Sequence, residues 1–203
     1  MNSSLKYIDL FAGAGGLSEG FIREGFQAIA HVEMDKDACD TLKTRLAYHY
    51  LAQNNKLSIY KAYLKSEITR EVLWKNIPGP IMESVINEEI TGKTINGIFN
   101  NIDKQSDGHK VDLIIGGPPC QAYSLVGRSR DPNRMKGDKR NFLFRYYAEF
   151  LIKYKPKCFI FENVLGLLTA GNKRYLNEMI QLFESIGYSV AEPTVLKAED
   201  YGV

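Results

Sequence analysis

The sequence predicts an α/β fold built on a doubly wound, mostly parallel sheet, and two observations support this class. Short apolar runs alternate along the chain with segments whose apolar residues recur at helical spacing, the pattern of repeated strand–helix units. The first apolar run, 6–12, enters a glycine-rich turn and then a helical pattern, so a ligand could approach bare backbone and a helix N-terminus there. With 203 residues, the chain is long enough for one domain or a large part of one.

The individual elements follow from apolar patterning and from the residues that bound each run. Strands are expected at 6–12, 26–34, 111–115 and 157–163. Helices are expected at 17–24, 36–50, 141–154 and 173–186. Gly25 ends the first helix, Asp35 can cap the second, Gly187 ends the last, and 188–198 should be extended. The polar stretch 76–110 fits neither pattern, and we interpret it as a partly mobile insertion between two strands.

The composition is that of a soluble globular protein, with 44% hydrophobic and 25% charged residues. No apolar stretch approaches the roughly 18 residues that a membrane span needs, and the N-terminus has no long apolar signal core. A cytoplasmic location is therefore expected. The three cysteines lie far apart in the sequence, so a disulfide framework is not expected.

The charge of the chain is small overall but concentrated in one segment. The net charge is +2, whereas 127–145 holds seven basic residues against Asp131 and Asp138, a local excess of five positive charges. Such a cluster suits a phosphate backbone. On charge alone, a solvated surface loop remains the preferred interpretation.

The turn after the first strand contains Gly13, Gly15 and Gly16. A dinucleotide fingerprint would require a third spaced glycine where this chain has Ser18, so a pyrophosphate site is disfavoured. Glu33 closes the second strand, and a carboxylate at this place binds ribose hydroxyls in nucleotide sites. The alternative is a structural turn beside a surface glutamate.

The third predicted strand, "VDLII" at 111–115, runs into "GGPPCQAYS" at 116–124. Pro118 and Pro119 restrict the backbone, so Cys120 sits on a rigid bend where parallel sheets bind ligands. Nearby Arg128 and Arg130 would favour the thiolate, the nucleophilic form of cysteine. The alternative is a small residue buried in a turn.

Glu162 is the second candidate for a catalytic role. It ends the strand "KCFIFEN", which is expected to be buried and to lie near the strand that carries Cys120. A cap for the following helix is an equally acceptable role for this residue. Cys39 and Cys158 lie within a helix and a strand and are expected in the core.

Three segments taken together resemble the DNA cytosine carbon-5 methyltransferases: "DLFAGAGGLSEGF" at 9–21, "GGPPCQAYS" at 116–124 and "FENV" at 161–164. The final "LKAEDYGV" also resembles the start of the next block of that family. The resemblance implies a Rossmann-like fold that binds S-adenosylmethionine. It implies cofactor contacts for ten residues: Phe11, Gly13, Gly15, Leu17, Glu33, Met34, Glu67, Ile68, Pro118 and Leu143. Glu67 stands where the family usually has Asp, and Asp103 is a weaker candidate for the same role.

The resemblance also implies the chemistry. The family flips cytosine out of double-stranded DNA, Cys120 would add to carbon 6, and Glu162 would hold ring nitrogen 3 and the amino group. Gln121, Ser124, Arg128 and Arg130 would contact the DNA. No metal is implied.

The family has further parts that we do not find in this sequence, namely a target-recognition region and a last antiparallel strand. We therefore expect a partial catalytic domain, with a cofactor part at 1–75, the insertion at 76–110 and a catalytic part at 111–203. The strand at 157–162 should keep an open edge. A second chain or a downstream region would supply recognition, and the chain alone should be weakly active or inactive. A tRNA-methylating relative and a non-catalytic, cofactor-binding subunit remain alternatives.

Overall fold

The computed structural model describes residues 4–119, 143–171 and 173–202. Along these ranges the helices and strands are β1 Lys6–Leu10, α1 Gly16–Arg23, β2 Gln27–Glu33, α2 Lys36–Gln53, α3 Leu57–Leu64, α4 Arg70–Lys75, α5 Gly79–Glu83, β3 Val85–Asn87, α6 Ile95–Ser106, β4 Leu113–Gly116, α7 Leu143–Tyr154, β5 Cys158–Phe161 and α8 Arg174–Ser185. Two short 3₁₀ helices add Leu165–Leu168 and Ala198–Tyr201. The four predicted strands and four predicted helices are confirmed within a few residues at their ends, whereas residues 188–197 form neither strand nor helix.

The five strands form one sheet in the order β3-β2-β1-β4-β5, and every pairing is parallel. The chain builds outwards from β1 to β3 and then returns to the other side of β1 for β4 and β5. This reversal is the topology of a doubly wound sheet, so the predicted fold class is confirmed. Within the described ranges β5 pairs only with β4, so β5 lies at an edge of the sheet, as expected.

The interpretation of 76–110 as an insertion is wrong. This stretch contains α5, β3 and α6, and β3 is a strand of the sheet, with Val85 paired to His31. Val85 and Ile86 are buried, as are three isoleucines on one face of α6, namely Ile95, Ile98 and Ile102. A strand of three residues is too short to show a periodic pattern, which is why the sequence alone did not reveal it.

Burial along β5 also differs from expectation. Cys158 is exposed and Ile160 is 43% exposed, so the strand is not a buried one. A strand with a single neighbour has less of its surface covered than a central one, and β5 has only β4 beside it in the described part of the chain. Cys39, by contrast, is buried as predicted.

The chain divides into two compact units. The first comprises Met1–Gly117 and Tyr154–Phe161 and contains the sheet; the second comprises Pro118–Lys153 and Glu162–Val203. In the first unit, Tyr7, Leu113 and Ile115 form a core cluster on which Leu17 and Phe21 of α1 pack. In the second unit, the rings of Tyr147 and Phe183 join α7 to α8, with centroids 6.0 Å apart. None of the helices in the described ranges is long and apolar enough to cross a membrane.

We expect Gly116→Ala to destabilise the fold strongly. Gly116 has a φ of 115°, and a Cβ there would overlap the backbone carbonyl of Leu10 in the neighbouring strand. The free energy of unfolding in urea should fall by more than about 3 kcal/mol. The matched control is Gly97→Ala in α6, where a Cβ has nothing within 4 Å; it should raise stability by about 0.5–1 kcal/mol. Equal effects of the two substitutions would contradict this account.

Candidate active site

The strands end at one level of the sheet, and the segments singled out in the sequence leave from it. The register aligns one residue of each strand in a single row: Ile86, Val32, Leu10, Gly116 and Phe161. The chain continues from this row into the glycine turn, the proline corner and "FENV". In a doubly wound sheet, ligands bind at these carboxyl ends, where the strand order reverses. Here the reversal lies between β1 and β4.

The glycine turn leaves β1 in a strained backbone conformation. Phe11, Gly13 and Gly15 all have positive φ values, of 58°, 53° and 81°. A left-handed conformation is rare for a bulky residue such as phenylalanine, and such outliers concentrate at functional sites. The backbone N–H of Ala12 donates to the carbonyl of Val32 at 3.1 Å, which ties the turn to β2. A Cβ on Gly13 would meet nothing within 4 Å, so there is open space beside this backbone.

Glu33 holds the turn from the end of β2. Its Oε2 accepts a hydrogen bond from the backbone N–H of Gly13 at 2.8 Å, and its Oε1 accepts one from the N–H of Asp35 at 2.8 Å. Each carboxylate oxygen can accept a second hydrogen bond. Glu33 can therefore fix the turn and still bind the hydroxyls of a ligand.

Helix α2 supports the turn from the other side. The Nε of Arg45 donates to the carbonyl of Ala14 at 3.1 Å, and its Nη1 donates to Glu19 of α1 at 3.1 Å. Gly15 has a φ of 81°, which favours glycine, and a Cβ there would lie 2.5 Å from Cδ1 of Leu42 in α2. The turn is therefore held by hydrogen bonds at Ala12, Gly13 and Ala14.

Glu19 gathers three cationic or ionisable partners around one carboxylate. Arg23 donates to it at 2.9 Å and Arg45 at 3.1 Å, and His49 lies 2.9 Å away. Burial raises the pKa of Glu19, but the hydrogen bonds from His49, Arg45 and Arg23 outweigh this effect and lower the pKa to about 2. This carboxylate therefore stays ionised and continues to hold Arg45 beside the turn.

The end of β2 is also joined to the end of β3. The side-chain amide of Asn87 donates to the carbonyls of Glu33 at 3.1 Å and Met34 at 2.9 Å, and the N–H of Glu88 donates to Glu33 at 3.0 Å. The Met34 side chain is 61% exposed. These bonds present Met34 at the carboxyl edge of the sheet, next to the residues that follow β3.

The structure does not bring Glu67 and Ile68 to this edge. They lie in the turn between α3 and α4, where Ile68 packs on a cluster that includes Leu73 and Glu67 is exposed. Glu89 and Ile90, for which the sequence predicted no role, follow β3 instead, after Glu88. The hydroxyl of Thr94 donates to the Glu89 carbonyl at 2.5 Å and helps to fix this segment. The short apolar run "VI" immediately before "NEEI" is the feature of the sequence that indicates a strand here.

The proline corner is described as far as Pro119. Cys120, Gln121, Ser124, Arg128 and Arg130 lie outside the described residues, as does most of the basic segment. Within the second unit, the side-chain amide of Asn163 reaches the carbonyl of Pro118 at 3.4 Å. This contact joins the "GGPP" corner to the "FENV" segment.

The remaining predicted site residues are distributed between the two units. Leu17 is the second residue of α1 and packs against the core cluster around Tyr7. Glu162 directly follows β5 and is exposed, and Leu143 is the first residue of α7. Asp103 lies in α6, where it accepts a hydrogen bond from Tyr154 at 3.1 Å. Its place on a helix, away from any strand end, does not favour a cofactor contact.

A sequence profile of the C-5 cytosine-specific DNA methylases matches residues 5–78 and 49–203, which together span nearly the whole chain. The chain belongs to this family. The three segments that leave the sheet at one level are those on which the resemblance in the sequence rested.

Similar proteins carry consistent descriptions. The type II methyltransferase M.Bpa9945I of Bacillus paralicheniformis is 41% identical over 224 residues, which cover 97% of this chain and 50% of the relative. The type II methyltransferase M.XorII of Xanthomonas oryzae pv. oryzae is 36% identical over 199 residues, covering 97% of this chain and 37% of the relative. The chain thus spans half or less of the length of these two relatives.

A solved structure gives the same picture of the fold. It is described as a DNA modification methyltransferase encoded within an E. coli prophage, and it is 26% identical to this chain. The two superpose with a TM-score of 0.61, over 98% of this chain and 42% of the other. The family profile and this solved structure therefore both support the Rossmann-like methyltransferase fold expected from the sequence.

We expect the Glu19 cluster to make stability depend on acid pH. Because folding lowers the pKa of Glu19 from 4.5 to about 2, its contribution is complete above pH 4.5 and is lost as the pH falls towards 2. Glu19→Gln should lower the free energy of unfolding at neutral pH by about 2 kcal/mol and flatten its decline over this window. The control is Glu24→Gln at the exposed end of α1. Urea titrations at several pH values measure the free energy of unfolding of both variants and of the unsubstituted chain. If stability falls with pH as steeply in Glu19→Gln as in the unsubstituted chain, the assignment is contradicted.

Proposed function

We propose that this chain is the cofactor-binding and catalytic part of a DNA cytosine carbon-5 methyltransferase of a restriction–modification system. The observation that carries the proposal is the single row of strand ends, in which Leu10, Gly116 and Phe161 are paired neighbours. The glycine turn, the proline corner and "FENV" therefore begin side by side. Family membership and the type II descriptions of the relatives support the same activity.

The described residues fit S-adenosylmethionine as the cofactor. Glu33 has acceptor capacity left for ribose hydroxyls, and the space beside Gly13 leaves the turn backbone open to the methionine part. Met34 is exposed beside the segment that holds Glu89 and Ile90. We assign the adenine contacts to these three residues and not to Glu67 and Ile68. When bound, the cofactor supplies an activated methyl group on its sulfonium.

The chemistry assigned to Cys120 and Glu162 follows the family resemblance. The Cys120 thiolate forms a bond to carbon 6 of a flipped cytosine, which makes carbon 5 nucleophilic. Glu162 hydrogen-bonds ring nitrogen 3 and the amino group and stabilises the charge that develops on the ring. After methylation at carbon 5, a base removes the proton there and the bond to Cys120 breaks. Pro118 and Pro119 would keep the sulfur in place without ordering a flexible loop at each turnover.

The partner is double-stranded DNA from which the target base is flipped. Gln121, Ser124, Arg128 and Arg130 are assigned to the nucleotide and its phosphates, and the basic segment 127–145 supplies the positive charge that such contacts need. Recognition of a particular DNA sequence is assigned to a second chain or to a further region of the protein.

The length of the chain relative to its relatives favours one second candidate. A chain that spans half or less of these methyltransferases could act as a cofactor-binding subunit that becomes active only with a second chain. The two candidates share the cofactor site and differ in whether Cys120 reacts.

Cofactor binding can be tested by calorimetry with S-adenosylmethionine. Glu33→Gln replaces one of the two acceptor oxygens by an NH2 group, which cannot accept a hydrogen bond, and Glu89→Ala removes one of the two carboxylates that follow β3. Each should weaken binding about tenfold or more, since hydrogen bonds to charged groups are among the stronger ones. Glu67→Ala is the matched control and should change affinity by less than about twofold. A larger loss in Glu67→Ala than in Glu89→Ala would reverse our assignment.

Covalent catalysis can be tested with DNA that contains 5-fluorocytosine, because fluorine at carbon 5 blocks the proton removal that would release the enzyme. Incubation with S-adenosylmethionine should give a denaturation-resistant protein–DNA adduct, and Cys120→Ser should abolish it. The control is Cys158→Ser, which removes a thiol that is exposed elsewhere on the molecule and should leave the adduct unchanged.

The reaction should also be run together with a chain that supplies the remaining length of the relatives. An adduct only in the mixture supports the two-chain arrangement with Cys120 as the nucleophile. No adduct in either sample would support the non-catalytic subunit. If the adduct forms with tRNA and not with DNA, the substrate is tRNA and the proposed DNA substrate is wrong.

A further inference from the structure

A buried polar cluster lies beneath the glycine turn. Ser18 on α1, Asp9 on β1 and His31 on β2 are each at most 1% exposed. Asp9 and His31 are register partners on the two adjacent strands, and Ser18 is the third residue of α1. The Ser18 hydroxyl donates to Oδ2 of Asp9 at 2.5 Å, and Nδ1 of His31 lies 3.3 Å from the same hydroxyl.

The hydrogen-bond roles follow from the single proton of a serine hydroxyl. Because this proton is donated to Asp9, the hydroxyl oxygen must accept from His31, which therefore carries a proton on Nδ1. The ring of Tyr7 packs edge-on against His31, with centroids 5.9 Å apart, and closes the cluster on one side. Ser18 is thus the group that joins the carboxylate to the imidazole, whose nearest atoms are 3.6 Å apart.

This cluster costs stability unless its hydrogen bonds are made. Oδ1 of Asp9 and Nε2 of His31 are buried without a partner among the described residues. A half-satisfied buried network is less favourable than an apolar core of the same shape. Apolar packing alone therefore does not explain why these three polar side chains are buried here. A role in positioning the elements that carry them explains it.

The cluster connects both elements of the proposed cofactor site. Ser18 lies in the first turn of α1, directly after the glycine turn, and His31 lies two residues before Glu33 on the same face of β2. Glu33 in turn binds the N–H of Gly13. A dinucleotide-binding fold uses a third glycine at the place of Ser18 for close helix–strand packing, whereas here a hydroxyl sets the distance.

We propose that Ser18 is a positioning residue: through Asp9 and His31 it fixes the start of α1, and thereby the glycine turn, relative to Glu33 so that the turn is ordered for the methionine part of the cofactor. This inference rests on the proposed function. It assigns to Ser18 no contact with the cofactor itself.

The test uses the 203-residue chain and the variant Ser18→Ala, with Ser84→Ala as the matched control. Ser84 is also buried and its hydroxyl is also hydrogen-bonded, but it precedes β3 at the opposite end of that strand from the site. Calorimetry compares S-adenosylhomocysteine, which has the methionine-derived part, with adenosine, which lacks it. Ser18→Ala should weaken S-adenosylhomocysteine binding about tenfold and adenosine binding by less than about twofold. Ser84→Ala should change neither.

A second measurement needs no ligand. Amide hydrogen exchange of residues 13–19 should be faster in Ser18→Ala than in Ser84→Ala, with unchanged protection in β4. If Ser18→Ala fails to fold, Ser18→Cys takes its place, since a thiol keeps the approximate shape but is a weak donor; it should show the same pattern with a smaller loss.

The possible results separate the two ideas. Equal weakening of both ligands, or unchanged exchange at 13–19, would overturn the positioning role of Ser18. If the unsubstituted chain binds neither ligand, the proposed function fails, and the exchange experiment still decides whether Ser18 orders the turn.

Discussion

The close approach of Gly116 to the Leu10 carbonyl is the constraint on which the arrangement of the site depends. It sets the two central strands side by side at the point where the strand order reverses, so that the glycine turn and the proline corner begin as neighbours. A side chain at 116 would force these strands apart, and with them the residues from which the glycine turn and the proline corner begin. The fold thus determines the site through a missing Cβ, in the same way that glycines elsewhere allow backbone to approach a ligand.

Glu33 illustrates how one side chain can order a loop and still serve a ligand. Both of its oxygens accept backbone N–H groups, which fixes the turn before any ligand arrives, and each oxygen keeps capacity for a second hydrogen bond. Ordering a loop in advance removes an entropic cost that binding would otherwise carry. The hydrogen bond from Arg45 to the carbonyl of Ala14 acts in the same direction. Order in the turn is therefore a property of the folded chain.

Most of the fold could be predicted because its strands and long helices leave strong apolar patterns, but three features could not. The strand β3 is three residues long and shows no period. The triplet Glu-Ile-Thr occurs twice, at 67–69 and 89–91, and only the sheet distinguishes the copy that follows a strand. In the sequence, Ser18 only interrupts a glycine fingerprint. Its hydrogen bond to Asp9, nine residues earlier, cannot be predicted from a sequence pattern.

The glycine turn and the proline corner require different kinds of support. Glycine leaves the backbone flexible, so the turn must be held by hydrogen bonds from β2, α2 and the cluster beneath α1. Proline has no backbone N–H, so residues 118 and 119 cannot donate hydrogen bonds that would hold the corner. Because proline also fixes φ, the corner does not need such hydrogen bonds. The one side-chain hydrogen bond to the described part of the corner, from Asn163 to Pro118, accordingly uses a carbonyl. The turn proposed to bind the cofactor is thus ordered by hydrogen bonds, whereas the corner before Cys120, the proposed nucleophile, is ordered by a stiff backbone.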